Sequence, residues 1–169
     1  MKKQRTYEFL NKLNIPFECI EHSEANTMEA CEQISKDLKV NIAKNLFLCN
    51  RQKTVFYLLL MPGDKPFKTK ELSHQLNISR LSFAEEEYME KFLGVTPGSV
   101  SILGLMNDTE NNVNLIIDRD LLNDQFIGCH PLINTASLKI KTSDILNVFL
   151  PAVNHTYTLV TLGETTNEE

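Results

Sequence analysis

The sequence predicts an α+β fold in one domain, residues 1–169, with a curved, mostly antiparallel or mixed β-sheet surrounded by helices. Three observations predict it. A chain of 169 residues with 42% hydrophobic and 23% charged residues can bury a genuine core. Helix-period and strand-period segments alternate, but without the strand–helix–strand rhythm of a parallel sheet. No repeat, linker or low-complexity block divides the chain.

Lys2 to Leu13 carries Phe9, Leu10 and Leu13 at helical spacing, and Asn14-Ile15-Pro16 ends the pattern. Phe17 to His22 alternates as a strand. Asn26-Thr27 offers a cap for a second helix with Met28, Cys31 and Ile34 on one face. Asn45–Cys49 and Thr54–Met61, joined by the polar Asn50–Lys53, have the pattern of a β-hairpin. The second run is apolar almost throughout, which predicts burial on both faces.

Lys70 to Leu76 reads as a short helix and Arg80 to Ala84 as a brief extended piece. Glu85 to Leu93 is helical, with its acidic start favoured by the helix dipole and Gly94 as C-cap. Val100–Leu105, Val113–Asp118, Phe126–Asn134 and Leu138–Lys141 are candidate strands. Thr142-Ser143-Asp144 caps a helix through Leu150, and Tyr157–Leu162 is a last strand. The polar residues 163–169 form a frayed tail. Phe67, Phe83 and Phe92 are expected in the core.

Composition excludes several function classes. No apolar run reaches the length of a membrane span, about 18 residues or more. The basic start is followed by no apolar core or cleavage site, so no secretory signal is expected and the chain is placed in the cytoplasm. The four cysteines, Cys19, Cys31, Cys49 and Cys129, form no CxxC pair. With His22, His74 and His155 scattered, neither a metal site nor a cofactor is expected. Motifs for phosphate loops, dinucleotide binding, zinc proteases and the hydrolase nucleophile elbow are absent. The net charge of −5 argues against a protein that coats long nucleic acids, and so against DNA.

Two short segments carry chemical interest. In Ile127-Gly128-Cys129-His130-Pro131, strand alternation puts Gly128 and His130 on one face and Cys129 on the other. Cys129 and His130 therefore cannot form a thiolate–imidazolium pair. Gly128 leaves room beside the backbone and Pro131 interrupts regular pairing, so the segment reads either as a pocket wall or as a strand end with a structural histidine. Lys44-Asn45 starts the first hairpin strand; a lysine there can hold a phosphate or carboxylate as a point charge, or can simply be solvated. Asn107-Asp108 and Asn111-Asn112 read as turn residues.

A set of pieces in one order resembles the YbaK/ProX family of aminoacyl-tRNA deacylases, which includes the editing insert of bacterial prolyl-tRNA synthetases. The pieces are Lys44-Asn45-Leu46-Phe47-Leu48, Arg80-Leu81-Ser82-Phe83-Ala84, Leu93-Gly94-Val95-Thr96-Pro97-Gly98-Ser99-Val100, and Gly104-Leu105-Met106-Asn107-Asp108. His130-Pro131 with Asn134, then Asp144-Ile145-Leu146 with Phe149-Leu150, complete them. The second and third pieces resemble most the free-standing ProXp-ala or PrdX type, which removes alanine from mischarged tRNA(Pro). Ile102 stands where the family loop usually has proline, and Cys129 where an aromatic residue often precedes the histidine.

The resemblance implies a trans-editing enzyme that hydrolyses Ala-tRNA(Pro), assisted by a ribose hydroxyl of the substrate. It implies Lys44, Gly128, Cys129 and His130 in the catalytic centre, with backbone N–H groups near Gly128 and Cys129 as oxyanion donors. Met28, Asn45, Leu46, Arg80, Gly98, Ser99 and Asn134 would bind substrate. The implied partners are the tRNA acceptor end, tRNA(Pro) foremost, and prolyl-tRNA synthetase as a deliverer. Lys65, Lys68, Lys70 and Arg80 read either as a contact cluster for that end or equally as an ordinary solvated loop and helix. A deacylase for Cys-tRNA(Pro) or for serine or threonine esters, and a non-catalytic module that binds tRNA or a synthetase, are the alternatives.

Overall fold

A computed structural model describes residues 2–24 and 28–163, the side chain of Met28 excepted. The fold is α+β. Helix α1 (Lys2–Lys12) leads into β1 (Phe17–Glu21), and α2 (Met28–Leu38) into the hairpin of β2 (Ala43–Cys49) and β3 (Phe56–Pro62). Helix α3 (Thr69–Leu76) and the short β4 (Ser82–Phe83) follow. A helical turn α4 (Glu86–Tyr88) continues as a π-turn over Met89–Leu93, closed by Gly94 as a left-handed C-cap. Then come β5 (Val113–Asp118), β6 (Phe126–Cys129) and β7 (Ala136–Lys141). Finally α5 (Thr142–Asp144), a π-turn and α6 (Leu150–Ala152) precede β8 (Tyr157–Val160).

The expected single sheet is in two parts. One is three-stranded and antiparallel, in the order β1-β7-β6; the other is five-stranded and mixed, β4-β2-β3-β5-β8. They join at one parallel bridge between Ile42 and Gly128. The outer edge of β2 is thus shared by β6 at its start and β4 at its end.

Side-chain alternation then sorts the core into layers. Phe47, Leu58, Leu60, Leu115 and Ile117 face a central core that also takes Ile127, Cys129, Leu138 and Ile140 from the small sheet. Leu48, Leu59, Met61 and Ile116 face the opposite way, against Leu72 of α3. Leu58 to Met61 are all fully buried, as a strand covered on both faces should be. On the far side of the small sheet, Ile34 and Leu38 of α2 pack with Val40, Ile20 and Phe126.

Four expectations are corrected. Val100–Leu105 is not a strand: Ile102–Asn107 is a buried 3₁₀ segment, capped by Ser101 Oγ, which accepts from Leu103 N–H at 3.1 Å. A short apolar run does not by itself separate strand from buried helix. The strand from Phe126 ends at Cys129, because the chain turns at Pro131 and Leu132 takes the left-handed region at φ 68°. Thr142 is inside the first turn of its helix rather than its cap, and its hydroxyl donates to Asp124 O at 2.6 Å. Phe83 is 58% exposed instead of in the core; Phe67 is half-buried beside it, while Phe92 packs on the central core. The expected cap Asn26-Thr27 and tail beyond Gly163 lie outside the described residues.

The turn at Asp108 anchors β5. Its carboxylate accepts from Asn112 N–H (2.9 Å) and Val113 N–H (2.7 Å), and meets His155 Nε2 at 2.9 Å. His155 Nδ1 lies 2.7 Å from Val153 O, and both side chains are almost fully buried. Removing one member leaves the other's polar atoms buried with one partner too few. His155→Ala is therefore expected to lower the unfolding free energy by about 3 kcal/mol, measured by urea denaturation at neutral pH.

Candidate active site at the fork between the two sheets

The bridge that joins the sheets also parts them. Gly128 N–H donates to Asn41 O at 3.2 Å, and a Cβ on Gly128 would lie 2.5 Å from Ile42 Cδ1 and 3.0 Å from Val40 Cγ1. A side chain here would have to displace Ile42 and crowd Val40, so glycine suits this close approach of the two strands. Beyond the bridge the strands diverge. In parallel register, Lys44 is two residues past Ile42 and His130 two residues past Gly128. Because the side-chain period is two, Lys44 and His130 project to the same side of the fork, one from each prong.

Between the bridge and β4, the β2 edge at residues 44–46 has no strand partner on its outer side among the described residues. Even-numbered residues of β2 bond toward β3, as Asn50 N–H continues to Val55 O, and odd-numbered ones point outward, as Phe47 O does to Ala84 N–H. The N–H and C=O of Asn45 therefore face the open edge. The Asn45 side chain turns to the central-core side, where its Oδ1 accepts from Ile102 N–H at 2.8 Å and its Nδ2 donates to Ala43 O at 3.3 Å.

That bond ties β2 to the loop carrying Gly98, Ser99 and Ser101. Gly98 has φ 89°, which favours glycine, and a Cβ there would touch Asn134 Nδ2 at 3.4 Å. Ser99 and Ser101 are buried. The Ser101 hydroxyl meets the Cys129 sulfur, so Asn45, Gly98, Cys129 and Asn134 gather around one loop.

Cys129 is sealed in the central core. Burial pushes its thiol up to about 12, with the Ser101 hydroxyl pulling weakly the other way, so it is not a nucleophile near neutral pH. The strand alternation that separates it from His130 is observed. The expectation that Gly128 and Cys129 supply oxyanion donors is corrected: Gly128 N–H is bonded to Asn41, and ladder alternation directs Cys129 N–H to Leu138.

His130 is half-buried. Its Nδ1 lies 3.0 Å from Ala136 O and 3.5 Å from Ser137 Oγ. A carbonyl only accepts, so Nδ1 carries the proton and Nε2 is left as an acceptor. Burial lowers the imidazole's pKa, as does His22 nearby, while the Ala136 carbonyl opposes. The ring is neutral at pH 7. His22, which sequence spacing left unassigned, lies 6.4 Å from it, centroid to centroid. Their proximity comes from the pairing of β1 and β6 on either side of β7, which no local motif reveals.

On the same side as Lys44 runs a groove of about 400 Å³, floored by Lys44 and Leu46 and walled by Phe67, Lys68, Lys70 and Phe83. The Lys44 ammonium donates to Lys65 O. Lys65 itself is spent: its ammonium meets Asp118 (2.9 Å), Asp120 (2.8 Å) and Leu162 O (2.7 Å), so it leaves the candidate contact cluster. Lys68, Lys70 and Arg80 make no ion pair with any described residue and are exposed. Helix α3 starts at the groove, and its N-cap residue Lys68 makes no side-chain cap hydrogen bond. Met28, expected in the substrate pocket, begins α2, and its side chain lies outside the described residues.

The chain matches the aminoacyl-tRNA editing domain model over residues 22–148. It belongs to that family, a family of aminoacyl-tRNA deacylases. It is 38% identical over 151 residues to prolyl-tRNA synthetase associated domain-containing protein 1 of Danio rerio, covering 88% of this chain and 81% of the relative. It is 32% identical over 143 residues to the prolyl-tRNA editing protein ProX of Acetoanaerobium sticklandii, covering 85% and 87%. The crystal structure of a candidate trans-editing enzyme for prolyl tRNA synthetase shares the fold, with a TM-score of 0.70 at 14% identity and coverage of 96% and 98%.

Two outcomes test this geometry. In the native protein at pH 8, a thiol reagent should label exposed Cys19 and Cys31 and spare Cys129, read by peptide mass spectrometry. Gly128→Ala should lower stability by about 2 kcal/mol through overpacking at the bridge, read by the shift in urea midpoint.

Proposed function

We propose that this protein hydrolyses mischarged Ala-tRNA(Pro) in trans, in the cytoplasm, with the acceptor end laid along the Lys44 groove and the aminoacyl ester at the fork. The observation that carries this reading is the placement of Lys44 and His130 on one side of the diverging strands, with Lys44 also on the floor of a groove lined by lysines and aromatic rings. A groove of that kind suits a short single-stranded end: lysines meet phosphates and aromatic faces stack bases. It also reconciles a net charge of −5 with an RNA substrate, because positive charge is needed only along a few nucleotides. Arg80 supplies a further exposed cation, and prolyl-tRNA synthetase is the candidate source of the mischarged tRNA.

The chemistry needs no protein nucleophile. Water adds to the ester carbonyl, the bond from that carbon to the ribose oxygen breaks, and the oxygen leaves with a proton to give free alanine and tRNA. Lys44, with donors left after the bond to Lys65 O, holds the terminal phosphate. The outward N–H of Asn45 takes the oxyanion role first expected of Gly128 and Cys129. His130 Nε2 accepts a hydrogen bond from the substrate's ammonium or ribose hydroxyl, and the neighbouring ribose hydroxyl orients water. Leu46, beside Lys44, would contact the alanyl methyl group. Exclusion of the larger prolyl ring is sterically feasible where rejection of a smaller residue is not.

Purified protein incubated with Ala-, Pro-, Ser- and Cys-tRNA(Pro) should release alanine fastest and spare proline. Loss of no amino acid faster than in buffer overturns the enzyme reading, and faster release of serine or cysteine reassigns the specificity. Lys44→Ala should lower kcat/KM about thirtyfold, from the ~2 kcal/mol of a charge-assisted hydrogen bond. Phe83→Ala should raise KM about tenfold with kcat little changed, the effect of losing one base-stacking contact.

A further inference from the structure

On the α2 side of the small sheet, three side chains from three strands or strand ends meet. His22 follows β1, Ser137 is in β7 and His130 follows β6. Ser137 is fully buried, and its hydroxyl lies 2.9 Å from His22 Nε2 and 3.5 Å from His130 Nδ1. His22 Nδ1 lies 2.7 Å from Ser23 O.

Proton accounting gives this cluster a direction. Ser23 O can only accept, so His22 Nδ1 carries a proton, and a neutral His22 presents Nε2 as an acceptor. The single Ser137 proton then goes to His22. What Ser137 Oγ turns toward His130 is a lone pair, which is compatible with a proton on His130 Nδ1 and with its bond to Ala136 O. Were the hydroxyl free to rotate, it could instead donate to His130 Nδ1. That would favour the other tautomer, with hydrogen on Nε2 facing the substrate.

We infer that His22 is a positioning residue that captures the Ser137 hydroxyl proton and so keeps His130 in the tautomer whose Nε2 accepts from substrate. This rests on the reading of His130 as a substrate-facing group. The histidine tautomers, however, exist without substrate and are measured separately. Orientation of an imidazole by the partner of its other nitrogen is the general device used here with one extra link.

The test is ¹⁵N NMR of imidazole-labelled full-length protein at neutral pH, without substrate, paired with single-turnover deacylation of Ala-tRNA(Pro). In the unmodified protein both His22 and His130 should be protonated on Nδ1; either ring protonated on Nε2 alone overturns the inference, whatever the variants do. His22→Phe should shift His130 toward the Nε2–H tautomer and slow deacylation about tenfold, the scale of losing an orienting partner. His22→Gln, whose side-chain oxygen can accept from Ser137, should restore both.

The double variant His22→Phe with Ser137→Ala separates orientation from mere packing. With the misdirected hydroxyl gone, Ala136 O alone should return His130 to Nδ1–H and recover most of the rate. A double variant slower than His22→Phe with the tautomer unrestored overturns the inference. If unmodified protein releases no amino acid but shows both Nδ1–H signals, the enzymatic reading fails and the relay geometry stands.

Discussion

Two sheets with different neighbours are held together where β2 passes β6, and Gly128 packs without a side chain at that passage. Its N–H closes the bridge to Asn41 O, and a methyl group on its Cα would crowd the side chains of Ile42 and Val40. Close approach at one point and divergence immediately after it produce the fork, and with it the placement of Lys44 and His130. The central core lies within the curve of the two sheets, fed by Phe47 and Leu58 from one and by Ile127 and Leu138 from the other. Anything that loosens the bridge thus acts on core and site together.

The fork divides its surroundings by side-chain parity. Lys44 and Leu46 go to the groove, while Asn45 goes inward to fasten the loop of Gly98 to Ser101 through Ile102 N–H. The same rule sends Cys129 into the core, where its thiol is pushed up to about 12, and leaves His130 at the rim. Two adjacent residues in each strand therefore have unrelated tasks. Lys68 and Lys70 in the groove form no ion pair with any described residue, whereas Lys65, a few residues away, is neutralised by Asp118 and Asp120 and serves the scaffold that holds Lys44. For a chain of net negative charge, this selective pairing concentrates positive potential in one place.

Local pattern was sufficient wherever an element satisfied itself. The β2–β3 hairpin, the doubly buried β3, Val113–Asp118 as a strand and Gly94 as a C-cap were all legible, because alternation and turn chemistry involve residues near in sequence. Val100–Leu105 reads as a strand, yet Ile102–Asn107 is 3₁₀-helical, because a short apolar run is compatible with either backbone when both are buried. Phe83 was assigned to the core on side-chain type alone, yet an edge strand of two residues cannot cover it. The role of Gly128 was not legible: the sequence suggested room for a ligand beside its backbone, whereas Val40 and Ile42, just before β2, occupy that space.

By itself the sequence determined the α+β class, the order of most elements, the family resemblance and the split of Cys129 from His130, since each follows from periodicity, composition or the order of short motifs. Tertiary structure decided which of those residues meet. The parallel bridge, residues 42 and 128, sets Lys44 beside the fork that His130 enters. The pairing of β1, β7 and β6 brings His22 to within one hydroxyl of His130. The bridge and the β1–β7 pairing link positions more than eighty residues apart, and no local free energy encodes them. They exist only once burial of the shared core has selected one pairing of strands from the many that the same alternation permits.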